Sequence, residues 1–471
     1  MAIQNHNFNN SNYVLSGSKR VITCTSSKTA EPKFRFYLEV IYNSKTYAYT
    51  FRPNNLDYGQ IDISSILQSI VFPTSTQEVL TVPQAIEGSG TTNEFKQNIH
   101  SIPHKKYTGG VYVDQFLSTG GSSATRVEVK LYDFYATSSS TAPVKVGGST
   151  DGYFYLLHGY NISTDLINYS FDDFKLGSTT KKFISGNYNP ISTTRCDIDV
   201  ALTDYGTLAL LNRTDDVNDS AETQYITIKY YNTSNVLTDT QVFTNSNTNG
   251  GQYNASGVTD DSMIIYFGCY PANLDKLPAS YDRPQDQTDL SYYEVYASSV
   301  SGVTAYSKKY RFNIVSKCEK YDRQTLTYIN KFGVWEYISF DKKRTDNISN
   351  SKTEIKKSIY DYTKAYATVT SGYNEKPFVP NVAHESRKNV STNVKQTFTI
   401  NTGFLDAYKI EQVKDMFISS KISYINSDGS ALAVILTNSS IEEVVVSHKY
   451  EQTEYALNFE YSIETYNPIL L

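Results

Sequence analysis

The 471-residue chain predicts a mainly β, multi-domain protein, built of immunoglobulin- or fibronectin-like β-sandwiches with a C-terminal unit of one helix and a β-meander. Three observations predict it. Aromatic residues reach 14%, with 41 tyrosines, while charged residues reach only 19%. Polarity therefore falls to Ser, Thr, Asn, Gln and Tyr, a composition that suits a pleated, half-buried surface better than a helix. Short runs of period two recur along the chain between clusters of Gly, Asn, Asp and Ser. At about 150 residues per domain, the length corresponds to about three domains. We read them as a β-domain over 1–178 with one short helix, a β-sandwich over 179–317, an aromatic hairpin with a connecting segment over 318–400, and a helix with a β-meander over 401–471.

The first unit opens with "FRFYLEV", in which Phe34, Phe36, Leu38 and Val40 share one face. With the turn "YNSK" and the run "TYAYTF" it makes a β-hairpin over 34–51. "DYGQIDISSILQSIVF" carries a short helix with Asp62 or Ser64 as its cap and Ile66, Leu67 and Ile70 on one side, closed by Pro73. Residues 84–125 read as irregular, with a short strand in "GGVYVDQFLSTGG". "TRVEVKLYDFYA" returns to strict alternation, "TSSSTAPVKVGGSTDG" reads as a long loop, and "YFYLLHGY" as an apolar strand.

In the second unit the strands are "CDIDVAL", "GTLALLN", "QYITIKYYN", "MIIYFGCY", "SYYEVYASS" and "KKYRFNIVS". Turns every 8–15 residues or so fit a sandwich. The hairpin "YITIKYYNTSNVLTDTQVF" repeats the pattern of 34–51. Tyrosine-dense stretches such as "KYYNTSN" and "YFGCYP" read first as cross-strand aromatic pairs, while tyrosine in aggregate also suits protein contacts.

In the last part, "LDAYKIEQVKDMFIS" sets Leu405, Ile410, Val413, Met416 and Phe417 at helical spacing, with Asp406 early and Lys414 late. "NSDG" is a hairpin turn after it, and "EEVVVSHKY" and "YALNFEYSI" are strands. Tyr455, Leu457, Phe459, Tyr461 and Ile463 share a face of the last. Lys342, Lys343 and Arg344, between Asp341 and Asp346, read as a solvated turn.

Net charge is -5 with Lys and Arg scattered, which argues against nucleic-acid specificity. No apolar run approaches the roughly 20 residues of a membrane span, and the N-terminus has no charged region ahead of an apolar core, so we expect no signal peptide and synthesis in a cytoplasm. Cys24, Cys196, Cys269 and Cys318 lie far apart, without a C-x-x-C pair, and read as free thiols. His100 and His104 have i, i+4 spacing, but Pro103 breaks the helix a metal would need. Asp215, Asp216 and Asp219 lack the glycine and terminal glutamate of a calcium loop. No G-x-S-x-G elbow or phosphate loop occurs. Carboxylate pairs for glycoside hydrolysis depend on fold rather than spacing, and nothing in the sequence selects one. We expect no enzyme, metal or cofactor.

The most distinctive stretch is "CEKYDRQTLTYINKFGVWEYISF", which holds the single tryptophan. It reads as two antiparallel strands, "TLTYIN" and "VWEYISF", with Gly333 taking a turn conformation that a side chain resists. Val334, Glu336 and Ile338 then share one face, and Trp335, Tyr337 and Ser339 the other. Its pattern resembles structural tail, hub and baseplate proteins of tailed bacteriophages, especially short-tailed, crAss-like phages of Bacteroidetes hosts. Cys318, Tyr321, Asn330, Gly333, Trp335, Tyr337 and Phe340 carry the likeness. "KFRFYLEVIYNSKTYAYTFRPN" with "GQIDISSIL", and the C-terminal helix with "SKISYI" and "DGSALAVILTNS", are similar to the two ends of the same proteins. The likeness covers about a third of the chain and does not extend to 80–310.

The resemblance implies a virion tail component without catalytic residues, set in a homo-oligomeric ring beside other tail and neck proteins. Trp335, Tyr337, Phe340 and Tyr321 are the candidate packing and interface residues. Trp335 is expected to anchor a domain or subunit seam rather than to serve as a ligand platform. A receptor- or carbohydrate-binding fibre module that stacks tyrosines on host-surface glycans is the alternative.

Overall fold

The computed structural model describes residues 3–7, 12–42, 45–71, 106–107, 110–111, 117–119, 124–160, 171–212, 225–244, 263–275, 277, 281–299, 302–315, 320–356, 387–440, 453–463 and 465–466. Among them the fold is mainly β, with strands in several sheets and few helices.

The alternating run at 34–40 becomes the strand Arg35–Tyr42, and its hairpin partner is Lys45–Phe51. They form the edge of a five-stranded sheet completed by Ala124–Tyr135, Val144–Leu157 and Asn12–Leu15. A three-stranded sheet of Ile3–His6, Val21–Ser26 and Tyr58–Asp62 packs with it, and the helix Ser64–Ile70 adds Leu67 and Ile70 to the shared core. The residue that caps this helix is Ile63, not Asp62 or Ser64, because the helix begins at Ser64 itself; the Asp62 carboxylate accepts the Ser64 backbone N–H at 2.9 Å just ahead of it.

The segment expected to loop from 137 to 152 is a loop only in its first half. From Val144 it pairs with Ala124–Tyr135 residue by residue, apart from an irregularity between Leu131 and Asp133. Its Gly, Ser and Thr content hid a strand whose outer end is solvent-exposed on both faces.

Every strand read in 195–314 is present. Pro190–Ser192, Arg195–Val200, Lys309–Ile314, Leu290–Ser298, Tyr225–Asn232 and Leu237–Thr244 neighbour one another in that order in a six-stranded sheet, with Arg195–Val200 and Lys309–Ile314 parallel. Leu208–Leu211 and Ile264–Phe267 pair in a smaller sheet, and Leu117–Thr119 adds to its edge. Both sheets contribute to the largest core, which also takes Leu15, Tyr155 and Leu157 from the N-terminal strands.

The tyrosine runs pack as cross-strand partners. Tyr231 stacks on its register partner Tyr292 at 4.8 Å, and Tyr293 on Phe312 at 4.9 Å. Buried hydroxyls tie strands to loops: Tyr293 donates to the Cys269 carbonyl at 2.7 Å and Tyr296 to that of Gly302 at 2.8 Å. A tyrosine core thus supplies apolar area and satisfies loop carbonyls together.

From residue 320 onward, eight strands make one sheet. Its path runs Trp335–Phe340, Gln324–Ile329, Ile422–Ile425, Ala431–Leu436, Thr453–Tyr461, Arg387–Leu405, Arg344–Lys356, and Thr465–Tyr466 also pairs with Arg387–Leu405. The boundary expected at 400/401 therefore falls inside one strand and divides no sheet. The helix Ala407–Ile418 buries Val413 and Met416 in this sheet's core, with Ile410 half-buried beside them. The "NSDG" turn joins its strands as expected, Leu457 and Phe459 face the core, and Ile463 is exposed. "EEVVVSHKY" lies outside the described residues.

Two polar stretches depart from their reading. Residues 344–356 form a long strand, not a connecting segment. Arg344 is no solvated turn residue, because its guanidinium lies 4.3 Å from the ring centre of Phe398 and 4.8 Å from that of Tyr424.

Candidate functional site

The turn of the signature hairpin follows a rule that recurs in this chain. An asparagine donates its backbone N–H to the carbonyl four residues on and accepts, at its own carbonyl, from the residue three on, which has positive φ. Asn54 with Asp57, Asn232 with Asn235, Asn330 with Gly333 and Asn426 with Gly429 all do so. The result is the three-residue hairpin loop that ends in a left-handed residue. At Asn54, Asn232 and Asn330 the side-chain oxygen also accepts two backbone N–H groups of the loop. Asp and Asn tolerate positive φ, so backbone angle alone does not demand glycine. At Gly333 the surroundings do, because a Cβ there would overlap the carbonyl oxygen of His158.

That overlap marks a seam. Tyr160 donates its N–H to the Lys331 carbonyl at 2.9 Å, and Ile329 donates to the Lys421 carbonyl at 3.1 Å. Asn330 Nδ2 reaches the Ile184 carbonyl at 3.1 Å. The turn and the strand end beside it thus join the residues just after Val144–Leu157, the 183–186 segment ahead of the middle sheet and the segment after the C-terminal helix.

The hairpin strands are buried on both faces. Trp335 is fully buried and Tyr337 nearly so, both in the largest core, where the Tyr337 hydroxyl lies 3.0 Å from Thr207 Oγ1. Phe340 is also buried, but in the core of the eight-stranded sheet with Ile338. Tyr321 stands apart at 38% exposure. The structure therefore brings Trp335 and Tyr337 together, sets Phe340 on the other side of the strand and leaves Tyr321 at the surface. Cys318 lies outside the described residues, as do His100, His104, Asp215, Asp216 and Asp219.

Between these cores lies a group that the sequence reading did not single out. Glu336 is 5% exposed. Its Oε1 accepts from the Gly186 backbone N–H at 2.9 Å and from Asn330 Nδ2 at 3.1 Å. Burial pushes its pKa up to about 8, against the two hydrogen bonds that favour the carboxylate. The Gly186 N–H is shared with Oε2 at 3.2 Å, and the carboxyl is mostly protonated at pH 7. Nearby, Asp415 of the C-terminal helix accepts from the hydroxyls of Tyr160, at 3.0 Å, and Tyr188. Burial also raises its pKa, partly offset by those hydroxyls. Glu336 was hidden because one acid in an alternating strand looks solvent-facing. The available signal was its place between Val334 and Ile338, both apolar.

The cleft that reaches Glu336 is lined by Tyr188, Asp197, Asp199, Tyr337 and Tyr408 among others and measures about 50 Å³. It has room for a few waters but falls far short of the several hundred Å³ typical of a ligand pocket. A wider polar basin of about 920 Å³ opens at the other end of the hairpin, lined by Tyr205, Tyr321, Arg323, Arg344, Tyr424, Asn426 and Asp428 among others. Arg323 Nε pairs there with Asp204 at 3.0 Å.

Cys24, Cys196 and Cys269 are buried free thiols. Among the described residues, no group of three or more His, Cys, Asp or Glu side chains is placed to hold a metal ion. Among them, too, no helix is long and apolar enough to cross a membrane. No protein-family model matches the chain, and no curated protein matches it.

Proposed function

We propose that this chain is a non-enzymatic structural component of a phage virion, part of the tail as hub, baseplate or ring, and that it works by subunit packing. The carrying observation is that Asn330, Gly333, Trp335, Tyr337 and Phe340 of the signature are spent inside the molecule. Asn330 shapes the turn, Gly333 makes room for His158, and Trp335, Tyr337 and Phe340 fill two cores. Residues placed in this way serve architecture, which fits the resemblance to tail proteins. Other tail and neck proteins are its neighbours, and the host cytoplasm is its place of synthesis.

The finer fold belongs to the same proposal. In the middle unit the first strand lies parallel to the last, and the last neighbours the one before it. That one is followed by the hairpin Tyr225–Asn232 with Leu237–Thr244. Leu208–Leu211 pairs with Ile264–Phe267 in the facing sheet. This neighbour order supports an immunoglobulin-like sandwich. The helix Ala407–Ile418 against the antiparallel strands Ile422–Ile425, Ala431–Leu436 and Thr453–Tyr461 supports a C-terminal helix-plus-meander unit.

One observation favours the second reading, a receptor- or carbohydrate-binding fibre module. The 920 Å³ basin sets exposed Tyr321 beside Tyr424, Asn426 and Asp428, and aromatic faces with amide and carboxylate groups suit a sugar.

Mass measurement during size-exclusion chromatography, a glycan-binding screen and electron microscopy of particles test the two. A multimer located in the tail, without glycan binding, is expected. A monomer that binds one glycan tightly would overturn the structural reading.

A further inference from the structure

The strand Arg344–Lys356 ends the eight-stranded sheet, and among the described residues nothing pairs with its outer edge. It is 13 residues long and exposed from Thr345 to Lys356. The sheet behind it thins toward its far end. Thr453–Tyr461 pairs with Arg387–Leu405 only from Thr397 onward, and Thr465–Tyr466 only at Asn393 and Val394. Among the described residues, 352–356 and 387–392 therefore stand as a two-stranded ribbon, an arrangement of marginal stability in water. A free edge of this length is a template for another strand.

We propose that this edge pairs with the same edge of a second copy of this chain, antiparallel, about a two-fold axis at Ser349. The charge order along the strand carries the assignment. Alternation sets Arg344, Asp346, Ile348, Asn350, Lys352, Glu354 and Lys356 on one face, and the register irregularity between Thr353 and Glu354 is taken up by the extra residue Val390 of the neighbouring strand. About Ser349, Arg344 of each copy meets Glu354 of the other, and Asp346 meets Lys352, so four opposite-charge pairs form. On the opposite face Thr345 meets Thr353 twice. Cross-strand pairs of both kinds stabilise an antiparallel ladder, and an isologous contact requires such self-complementarity.

The register is specific. Moving the axis one residue, to Asn350, sets Arg344 against Lys356 and Asp346 against Glu354. Charges placed only to repel neighbouring strands would be of one sign, and these alternate. Arg344 is already held in place by the Phe398 and Tyr424 rings and by Asp346 at 2.6 Å. A two-fold contact pairs two chains and does not close a ring, so any head-to-tail seam of a ring lies elsewhere. The inference stands independently of the virion reading.

Sedimentation velocity of the full chain, at low salt and up to about 200 μM, tests it. A dimer is expected. Asp346→Lys and Lys352→Asp should each weaken dimerisation at least about tenfold, since each sets like charges together twice, and the combined swap should restore it. A different partner for this edge would leave the wild type monomeric, which overturns the proposal, as does a dimer indifferent to the single changes or unrestored by the swap. Crosslinking reads the register directly. Ser349→Cys should join two copies through a short bismaleimide. Thr353→Cys should not, because its two copies would lie about 27 Å apart at 3.4 Å per residue. The reverse result would overturn the axis.

Discussion

Asn330 donates its side-chain amide to Glu336 Oε1 at 3.1 Å, so the residue that shapes the signature turn also holds the buried carboxyl six positions on. Glu336 is thereby fixed between two cores in a form that proton exchange can change.

Folding stability should fall as pH rises from 6.5 to 8. The folded pKa of Glu336 is raised to about 8 from 4.5, so the folded state holds a proton that the unfolded chain has released. The contribution is full below about 4.5 and is lost as pH climbs through 8. Between pH 6.5 and 8 the loss is about 1.5 kcal/mol. Lowered by burial, His158 is neutral when folded and acts in the opposite sense, but only below its ordinary range near 6.5. Urea unfolding across the window should show the slope in the wild type and lose it in Glu336→Gln, which keeps Oε1 as acceptor. An unchanged slope in the variant would assign the proton elsewhere.

Asn330→Asp should be more damaging than its size suggests. The amide nitrogen faces the Ile184 carbonyl and the Glu336 carboxyl, and a carboxylate in its place offers acceptors to acceptors. The two backbone donors at Oδ1 remain, so the expected cost is about 1–3 kcal/mol at pH 7, that of buried acceptors left without their donor. Lowering the pH toward 5 should recover part of it, which Asn330→Ala should not show.

Gly333→Ala and Gly147→Ala form a matched pair, with φ of +79° and +80°. At Gly147 nothing lies within 4 Å of an added Cβ, whereas at Gly333 the His158 carbonyl occupies the place. Gly147→Ala should cost only the left-handed penalty of about 1–2 kcal/mol. Gly333→Ala should cost about 1–3 kcal/mol more through overpacking. Equal losses in chemical denaturation would mean that the turn can move off His158.

Much of the fold could be read from period-two alternation wherever one face of a strand is buried. The Arg35–Tyr42 strand carries that signal, whereas strands buried on both faces, such as Leu208–Leu211, Ile264–Phe267 and those of the signature hairpin, read as short apolar and aromatic runs between turn residues. Arg344–Lys356 carries neither signal because both of its faces are exposed, so its polarity reads as a linker. The pairing of Val144–Leu157 is supplied by Ala124–Tyr135, not by its own Gly147 and Gly148. Alternation in the sequence puts Trp335 and Tyr337 on one face, and both are buried in one core. The place of Glu336 was not legible, because its first donor, Gly186, lies 150 residues away, and no local pattern announces a partner at that distance.

Trp335→Ala should lower stability by about 3–5 kcal/mol, the usual range for removing a buried tryptophan. The side chain is fully buried in the core that joins the N-terminal strands to both middle sheets, and its ring lies 5.5 Å from the Lys421 ammonium. The loss should therefore extend beyond the hairpin and appear as a lower unfolding midpoint by every probe. Trp335→Phe keeps most of the volume and should recover more than half of it. A ligand platform would behave in the opposite way, with stability unchanged and binding lost. If Trp335→Ala left the midpoint in place and abolished only host-surface binding, the packing role would be refuted.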